Sequence, residues 1–178
     1  MAVLDIHLLG SPVLRERAVE IAVVDDALRA FIDDMFETMN IACGVGLAAN
    51  QVGSTQRVAI IDAEGQTFAM INPRIVSATG KESKEEGCLS IPEVYAEVVR
   101  PDSVILEALN EKGEPFRLEA TGLVARAIQH EIDHLDGILF IDHLSPLKRQ
   151  MLVKRWKKEN GGELTRTPRP EEESEKAG

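Results

Sequence analysis

The sequence predicts an α+β protein in which short β-strands occupy the middle of the chain and helices lie on either side. Three observations predict this class. Apolar residues recur at spacings of three and four after position 25, which is the pattern of an amphipathic helix. Between residues 57 and 120, β-rich runs of six or seven residues alternate with turn-forming segments. Two further helical patterns follow, at residues 122–136 and 146–159.

The chain is long enough for one domain with a substantial core. It has 178 residues, of which 44% are apolar and 28% charged, and we place a single domain at residues 1–164. Residues 165–178 are rich in Pro and Glu and lack periodicity, so we predict a disordered acidic tail there. No apolar run of about 18 residues and no secretory pattern at the start is present, which predicts a soluble cytoplasmic protein without membrane contact. The net charge of −10 argues against nucleic-acid binding, general or sequence-specific.

The first fifty residues contain one clear helix. Residues 3–24 predict a strand or extended arm followed by a turn and irregular chain. Asp25 and Asp26 suit the positive start of the helix that follows, and we expect this helix to end near Asn40. Residues 43–53 are small and rich in glycine. They predict a loop whose backbone approaches another group closely.

The strand-like runs are separated by turns. Those at 57–62 and 67–72 predict a hairpin, which Pro73 is expected to end. The polar residues 80–86 then lead into a loop that carries Cys88. Three later runs predict the remaining strands, at 94–100, 104–109 and 115–120.

Helix signals dominate the last part of the chain. Thr121 and Gly137 are suited to cap and to end a helix over residues 122–136. Residues 138–141 predict a short strand. A second helix is expected to begin after Ser145, a typical cap residue that a first-turn proline follows.

The first of these two helices carries an H-E-x-x-H pattern at His130, Glu131 and His134. Residues four apart project from one helix face, so the two imidazoles can hold one cation. Glu131 then lies beside the cation as a carboxylate that need not bind it. A match of five residues also arises by chance, but here the three residues lie off a polar stripe and therefore need partners. The stripe consists of Arg126, Gln129, Asp133 and Asp136.

Cys88 is the natural third ligand. A thiolate and two imidazoles on a divalent cation leave one tetrahedral position open, as in catalytic sites. In a reducing compartment, a thiol near a histidine pair is expected to be a ligand or a nucleophile rather than half of a disulfide. A closed structural site that includes Cys43 is the alternative. It leaves Glu131 unexplained, and neither cysteine belongs to a C-x-x-C pair.

Three stretches together resemble the three motifs of peptide deformylases. They are residues 44–51 (GVGLAANQ), 86–90 (EGCLS) and 129–137 (QHEIDHLDG). The resemblance spans about residues 1–160, so the domain at 1–164 would be a catalytic domain. It implies an α+β fold with strands packed around the metal-bearing helix. It also implies removal of the N-formyl group from the formylmethionine of nascent polypeptides, with release of formate.

The resemblance implies a metal-dependent hydrolysis. Cys88, His130 and His134 would bind one divalent ion, with Fe(II) expected natively and Zn, Ni or Co able to replace it in purified protein. A metal-bound water would attack the formyl carbon. Glu131 would serve as general base and then as general acid.

Further residues are implied as substrate contacts. The side-chain amide of Gln51 and the backbone N–H of Leu89 would donate to the developing oxyanion. The backbone of Gly46 and of the Cys88 loop, including Gly87, would pair with the peptide like an added strand. Three residues could wall an apolar pocket for the methionine side chain, although core packing explains each equally well: Val45, Leu123 and Ala127.

Residues 145–160 carry a net charge of +5 on an otherwise acidic chain. Such a segment is commonly a solvated helix face, and it is also suited to dock on a polyanion. It resembles the ribosome-docking helix of some bacterial relatives. The resemblance therefore implies the ribosome as a partner, in addition to formylated nascent peptides.

Two other classes of protein fit part of the pattern. H-E-x-x-H is also a metalloprotease signature, but an endopeptidase would use a third histidine or a distant glutamate where this chain offers Cys88. A non-catalytic binding module braced by a metal is the second alternative. It predicts a saturated metal and no turnover.

Overall fold

A computed structural model describes residues 2–170 and confirms the α+β class. Three α-helices are present in these residues: α1 (Asp26–Ile41), α2 (Gly122–Leu135) and α3 (Pro146–Asn160). The strands are β1 (Ile6–His7), β2 (Gly46–Ala48), β3 (Val58–Ala63), β4 (Gln66–Thr79), β5 (Glu82–Cys88), β6 (Ile91–Arg100), β7 (Ser103–Leu109), β8 (Pro115–Thr121) and β9 (Thr165–Arg166). No helix within residues 2–170 has the length and apolar character that crossing a membrane requires.

The strands form three antiparallel groups. The largest is a five-stranded sheet in the order β2-β3-β4-β7-β8. The strands β5 and β6 form a separate ribbon, and β1 pairs with β9 across the two ends of the described chain. In the five-stranded sheet, β2 is an edge strand that pairs with β3 alone.

Strand β3 is buried on both faces and holds a helix on each. Side chains alternate between the two faces of a strand. Val58 and Ile60 therefore pack in the core cluster that contains α1, whereas Ala59 and Ile61 pack in the cluster that contains α2. On its other side α2 contacts the ribbon, where Arg126 donates to the backbone carbonyl of Val98. Helix α2 thus lies between the sheet and the ribbon.

Several sequence predictions agree with these elements. Helix α1 begins after Asp25, whose side chain accepts a hydrogen bond from the N–H of Leu28. Helix α3 begins after Ser145, which accepts from the N–H of Lys148. The hairpin is formed by β3 and β4, but Pro73 does not end it, because β4 continues to Thr79. Pro73 lies at an irregularity in the β4–β7 register, where the ladder is already interrupted.

Three further segments differ from the predictions. The predicted loop at 43–53 contains the short strand β2 and a 3-10 turn at Ala49–Val52. The polar run at 80–86 falls largely within β5, so Cys88 ends a strand. Residues 138–141 do not form a strand, since a 3-10 turn spans Phe140–His143. That run is apolar because Leu139 and its two successors are buried in a core cluster.

The prediction of a disordered tail from residue 165 onward is wrong for the first residues of that segment. Thr165 and Arg166 form β9, and Leu8 N–H donates to the carbonyl of Leu164 at 2.8 Å. Pro168 is also buried. Two residues of strand are too few to give a periodic signal, so composition alone could not reveal this pairing. The rest of the predicted tail, residues 171–178, lies outside the described residues.

Helix α3 is fastened to the core by Trp156, whose side chain is buried with 2% of the residue exposed, whereas Leu147 on the same helix is 68% exposed. We expect Trp156→Ala to lower the free energy of unfolding by about 3–5 kcal/mol, because it opens a cavity in the core. The matched change Leu147→Ala is expected to cost less than about 0.5 kcal/mol. Urea unfolding measures both values. Equal losses would contradict an anchoring role for Trp156.

Candidate active site

The side chains of Cys88, His130 and His134 converge where the end of β5 faces α2. Nε2 of His134 lies 3.2 Å from Nε2 of His130 and 3.2 Å from Sγ of Cys88. The three ligand atoms all lie within 4.8 Å of one another. A divalent cation that binds nitrogen at about 2.1 Å and thiolate at about 2.3 Å can contact such a group at once. These residues fit one metal ion.

Cys43 does not belong to this group. It is exposed, and the converging ligand set found in the described residues contains Cys88 alone of the two cysteines. The geometry therefore gives no support to a closed site with four protein ligands.

The sulfur of Cys88 accepts hydrogen bonds from two N–H groups. Ser90 donates its backbone N–H at 3.4 Å, and Gln51 donates from Nε2 at 3.6 Å. Gln51 is itself held in place, because Nε2 also donates to Oγ of Ser90 at 3.1 Å and Oε1 accepts from the N–H of Ala48 at 2.9 Å. Both donors are directed at the sulfur, and the sulfur is the cysteine atom that binds metal.

Behind His130 lies Glu86, a buried carboxylate. Its Oε1 lies 3.0 Å from Nδ1 of His130, and its Oε2 accepts from Arg100 and from Arg126, each at 2.6 Å. Burial raises the pKa of Glu86, but hydrogen bonds and charges from His130 and Arg100 outweigh this and hold it at about 2. Since an ionised carboxylate only accepts, Nδ1 of His130 carries the proton. Nε2 is then the ring nitrogen that faces Nε2 of His134.

The polar stripe of α2 belongs to the same network. Arg126 and Gln129 are buried, and Gln129 donates to the carbonyl of Pro101 at 2.9 Å. Asp133 lies 2.9 Å from Arg100 and 2.8 Å from Nε2 of His143. These three residues of the stripe thus contact the ribbon, Pro101 and His143 and do not form a solvated face.

Glu131 differs sharply from Glu86. It is buried, with 4% of the residue exposed, and within residues 2–170 its Oε1 has no hydrogen-bond partner. Burial raises the pKa of Glu131 to about 7, although the charges of His130 and Arg100 act in the opposite direction. A carboxyl group with this pKa can accept and release a proton near neutral pH.

Gly46 provides the space that Glu131 occupies. A Cβ atom added to Gly46 would lie 2.6 Å from Oε2 of Glu131, far inside van der Waals contact. A similar restriction applies to Gly87, where an added Cβ would lie 2.6 Å from the ring of Tyr95. A side chain at Gly46 would displace the buried carboxylate of Glu131, whereas one at Gly87 would displace the exposed ring of Tyr95.

The electrostatics around the histidines also suit a cation. Burial lowers the pKa of His130, but Glu131, Cys88 and Glu86 together raise it well above its ordinary value. Surroundings of this kind favour positive charge near that imidazole. Burial lowers the pKa of His134 well below its ordinary value, which keeps its ring neutral and able to bind a metal.

A pocket of about 320 Å³ opens beside these groups, a size within the range of small-ligand sites. Its lining includes Cys88, His130 and Glu131, while His134 is fully buried. Val45 and Leu123, which are 43% and 41% exposed, line the pocket. The other residues predicted as substrate contacts also line it: Ala127, Gly46, Gly87, Gln51 and Leu89.

Comparison with known proteins agrees with this fold. Residues 3–150 match the family model described as polypeptide deformylase. The peptide deformylase of Brucella suis biovar 1 is 49% identical over 164 residues, which cover 89% of this chain and 94% of the relative. The peptide deformylase of Alkalilimnicola ehrlichii is 49% identical over 162 residues, covering 89% and 91%.

Solved structures give the same result. The crystal structure of a peptide deformylase from Legionella pneumophila is 44% identical, with a TM-score of 0.85, and the match covers 88% of this chain and 95% of that one. A peptide deformylase from Ehrlichia chaffeensis, solved in complex with actinonin, is 37% identical with a TM-score of 0.86, covering 90% and 99%. The chain belongs to the polypeptide deformylase family and is an enzyme of that class.

Sequence reasoning missed the residues that support the ligands. Glu86 and Asn50 lie within the motifs but receive no role from them, Arg126 is predicted only as part of a polar stripe, and Arg100 only as the end of a strand. Asn50 is fully buried and its Nδ2 donates to the backbone carbonyl of His134. One signal was available, because Glu86 precedes Cys88 by two residues, the spacing that places side chains on one face of a strand.

Glu86 is expected to support both the fold and the metal site. Glu86→Ala leaves two buried arginines without their carboxylate, so we expect a loss of about 3–5 kcal/mol in stability and a ~10–100-fold weaker affinity for Zn²⁺. Glu86→Gln keeps an acceptor for Nδ1 of His130 and should weaken the metal affinity less. Urea unfolding and metal-competition titration measure these effects.

The matched control is Glu85→Ala, since Glu85 is the exposed neighbour in the same strand. We expect it to leave stability and Zn²⁺ affinity nearly unchanged. A parent-like Zn²⁺ affinity in Glu86→Ala would contradict the positioning role.

Proposed function

We propose that this protein hydrolyses the N-formyl group from the N-terminal formylmethionine of nascent polypeptides, with Cys88, His130 and His134 holding a divalent metal ion and Glu131 transferring the proton. The observation that carries the proposal is Oε1 of Glu131, a buried carboxylate oxygen without a partner among residues 2–170, beside three converging metal-binding atoms. Membership of the polypeptide deformylase family supports the choice of substrate.

The proposed chemistry assigns one proton to one carboxylate. When bound, the cation supplies Lewis acidity that lowers the pKa of a coordinated water toward about 7. Glu131 would accept a proton at Oε1 from the attacking water as the water oxygen adds to the formyl carbon. Glu131 then returns the proton to the departing amine nitrogen, and the formyl C–N bond breaks. The products are formate and a free N-terminal amine.

Two donors are proposed for the oxyanion. Gln51 directs Nε2 toward the Cys88 side of the pocket, where the amide is held by its contacts to Ser90 and Ala48. Leu89 follows the metal ligand Cys88 directly and lines the pocket, so we assign its N–H as the second donor. For Gln51, the N–H that lies 3.6 Å from Sγ of Cys88 would turn to the oxyanion. Losing one such donor costs roughly 100–1000-fold in rate.

Substrate selection is proposed to depend on two surfaces. Val45, Leu123 and Ala127 offer an apolar wall for the unbranched methionine side chain. Beside them, β2 has an edge that pairs with no strand of residues 2–170. The backbone at Gly46 and at Gly87 is therefore suited to bind an extended peptide as an added strand.

The native metal is proposed to be Fe(II), on the basis of the family resemblance alone. A thiolate with two imidazoles accepts zinc, nickel and cobalt as well, so purified protein can contain any of them. Because the substrate is a nascent polypeptide, we propose that the protein acts in the cytoplasm.

The ribosome is proposed as a docking partner through α3. The basic side chains of this helix are all exposed, and Leu147 and Met151 add exposed apolar surface one turn apart. Surface charge of one sign is suited to a polyanion. The basic residues are Lys148, Arg149, Lys154, Arg155, Lys157 and Lys158.

The decisive variant for the reaction is Glu131→Ala. We expect the parent enzyme, purified without oxygen and supplied with Fe(II) or Ni(II), to release formate rapidly from formyl-Met-Ala-Ser. Glu131→Ala should keep the metal and lose nearly all activity, because the change removes a proton acceptor and no ligand. Formate release and metal content are measured on the same samples.

Cysteine variants serve as the matched control for the metal. Cys88→Ser is expected to weaken metal binding, whereas Cys43→Ser is not. Equal metal loss from both would favour the closed site with four ligands. Full metal content without formate release would contradict the proposed function, and cleavage of unformylated peptides would favour an endopeptidase.

Ribosome docking is tested by reversing charges on α3. We expect Lys154→Glu/Lys158→Glu to reduce co-sedimentation with ribosomes, and raised salt to reduce it for the parent enzyme. Lys81→Glu/Lys112→Glu is the control, because it changes the net charge equally at exposed positions outside α3. Equal co-sedimentation of the two double variants would contradict the proposal.

A further inference from the structure

A segment near the end of the described chain forms one wall of the pocket. We call residues 163–168 the C-terminal strap. The strap contains β9, which pairs with β1, and Arg166 and Pro168 both line the pocket that contains Glu131 and Cys88. The strap lies beyond residue 150, where the match to the family model ends.

Backbone hydrogen bonds connect the strap to the residues that follow Cys88. Leu8 N–H donates to the carbonyl of Leu164 at 2.8 Å, and Leu9 N–H donates to the carbonyl of Ser90 at 2.9 Å. The two residues that follow β1 are therefore joined to the strap on one side and to the segment after Cys88 on the other. This connection gives the strap a defined position relative to the site.

Side chains in the strap alternate between the pocket and solvent. Arg166 is partly buried and Pro168 is buried, whereas Thr165 and Thr167 are exposed. Period-two alternation of this kind is that of an extended chain with one face covered. The two covered residues are the two that line the pocket.

The strap and α2 form different walls. Leu8, which lines the pocket next to the strap, packs in a core cluster with Ile91 and Trp156. Ala127, on the wall proposed for methionine, belongs to the cluster of α2. With the formyl group at Glu131 and the methionine against α2, the strap is a pocket surface that the following residues can contact, in addition to the edges at Gly46 and Gly87.

We propose that Arg166 and Pro168 form a subsite for the substrate residues that follow the formylated methionine. The inference rests on the proposed function and specifies peptides of three or more residues in an extended conformation. Pro168 offers a rigid apolar surface. Arg166 is oriented by Glu163, whose carboxylate accepts from its Nε at 3.2 Å and from its Nη2 at 3.1 Å. Arg166 and Glu163 carry opposite charges. We therefore expect the subsite to favour longer peptides over shorter ones and not to favour one side-chain charge.

The test compares two formylated substrates that share their first residues, formyl-Met-Ala-amide and formyl-Met-Ala-Ser-Ala-amide. We expect Arg166→Ala and Pro168→Ala to raise the ratio of KM for the tetrapeptide to KM for the dipeptide by ~3–10-fold, the effect of one hydrogen bond or its equivalent. In both variants the kcat for the tetrapeptide should stay near that of the parent enzyme. Arg166→Lys should give a KM ratio between those of the parent enzyme and Arg166→Ala. Thr165→Ala, on the exposed face of the same strand, is the control and should match the parent enzyme.

Each outcome bears on one hypothesis. A parent enzyme that releases no formate from either substrate contradicts the proposed function itself. An active parent enzyme with an unchanged KM ratio in both variants overturns the subsite, and so does an equal change for both substrates, which would indicate a structural role for the strap. If Pro168→Ala melts at a much lower temperature, Arg166→Ala decides the question, because its side chain lies at the rim.

Discussion

Burying the polar side of α2 against the ribbon requires that each charge on that side meet a partner inside the protein. Glu86 is the carboxylate on which this depends, since it accepts from Arg100 and Arg126 and lies beside His130. The same carboxylate precedes Cys88 by two residues in β5. The ion network that allows α2 to be buried therefore also fixes the strand that carries Cys88. The packing of the helix thus determines how Cys88, His130 and His134 are brought together.

The opposite side of α2 is fixed by apolar packing. Alternate residues of β3 face α1 and α2, and a slip of one residue in the β3–β4 register would exchange the two sets. The hairpin turn and the burial of both faces oppose such a slip. Helix α2 is thus held by shape on the sheet side and by charge on the ribbon side. This double constraint determines its rotation about its own axis, and hence the direction of His130 and Glu131.

Local signals in the sequence predict that the residues of the H-E-x-x-H pattern lie together, and they do not predict the residues that surround them. His130, Glu131 and His134 share one helical turn, so spacing alone predicts that they meet. Glu86 reaches Arg126 across forty residues of chain, and no periodicity reports a contact of that kind. The apolar run at 138–141 illustrates a second limit, because burial in a 3-10 turn and burial in a strand demand the same residues. Strands β1 and β9 pair near the two ends of the described chain, and each has only two residues. Strands this short give no periodic pattern in the sequence.

Two buried carboxylates, 45 positions apart in the chain and both beside His130, have opposite environments. Glu86 has ionic partners and a pKa of about 2, whereas Glu131 has an oxygen without a partner in residues 2–170 and a pKa of about 7. An unpaired buried acceptor costs about 1–3 kcal/mol. Among the acids of α2 and β5, only Glu131 has such an oxygen. Gly46 adds to the contrast, since its missing side chain leaves room for Oε2 of Glu131. Environments that separate the pKa values of neighbouring acids divide them into structural and reactive groups, and on that ground Glu86 holds the site while Glu131 remains able to take up a proton.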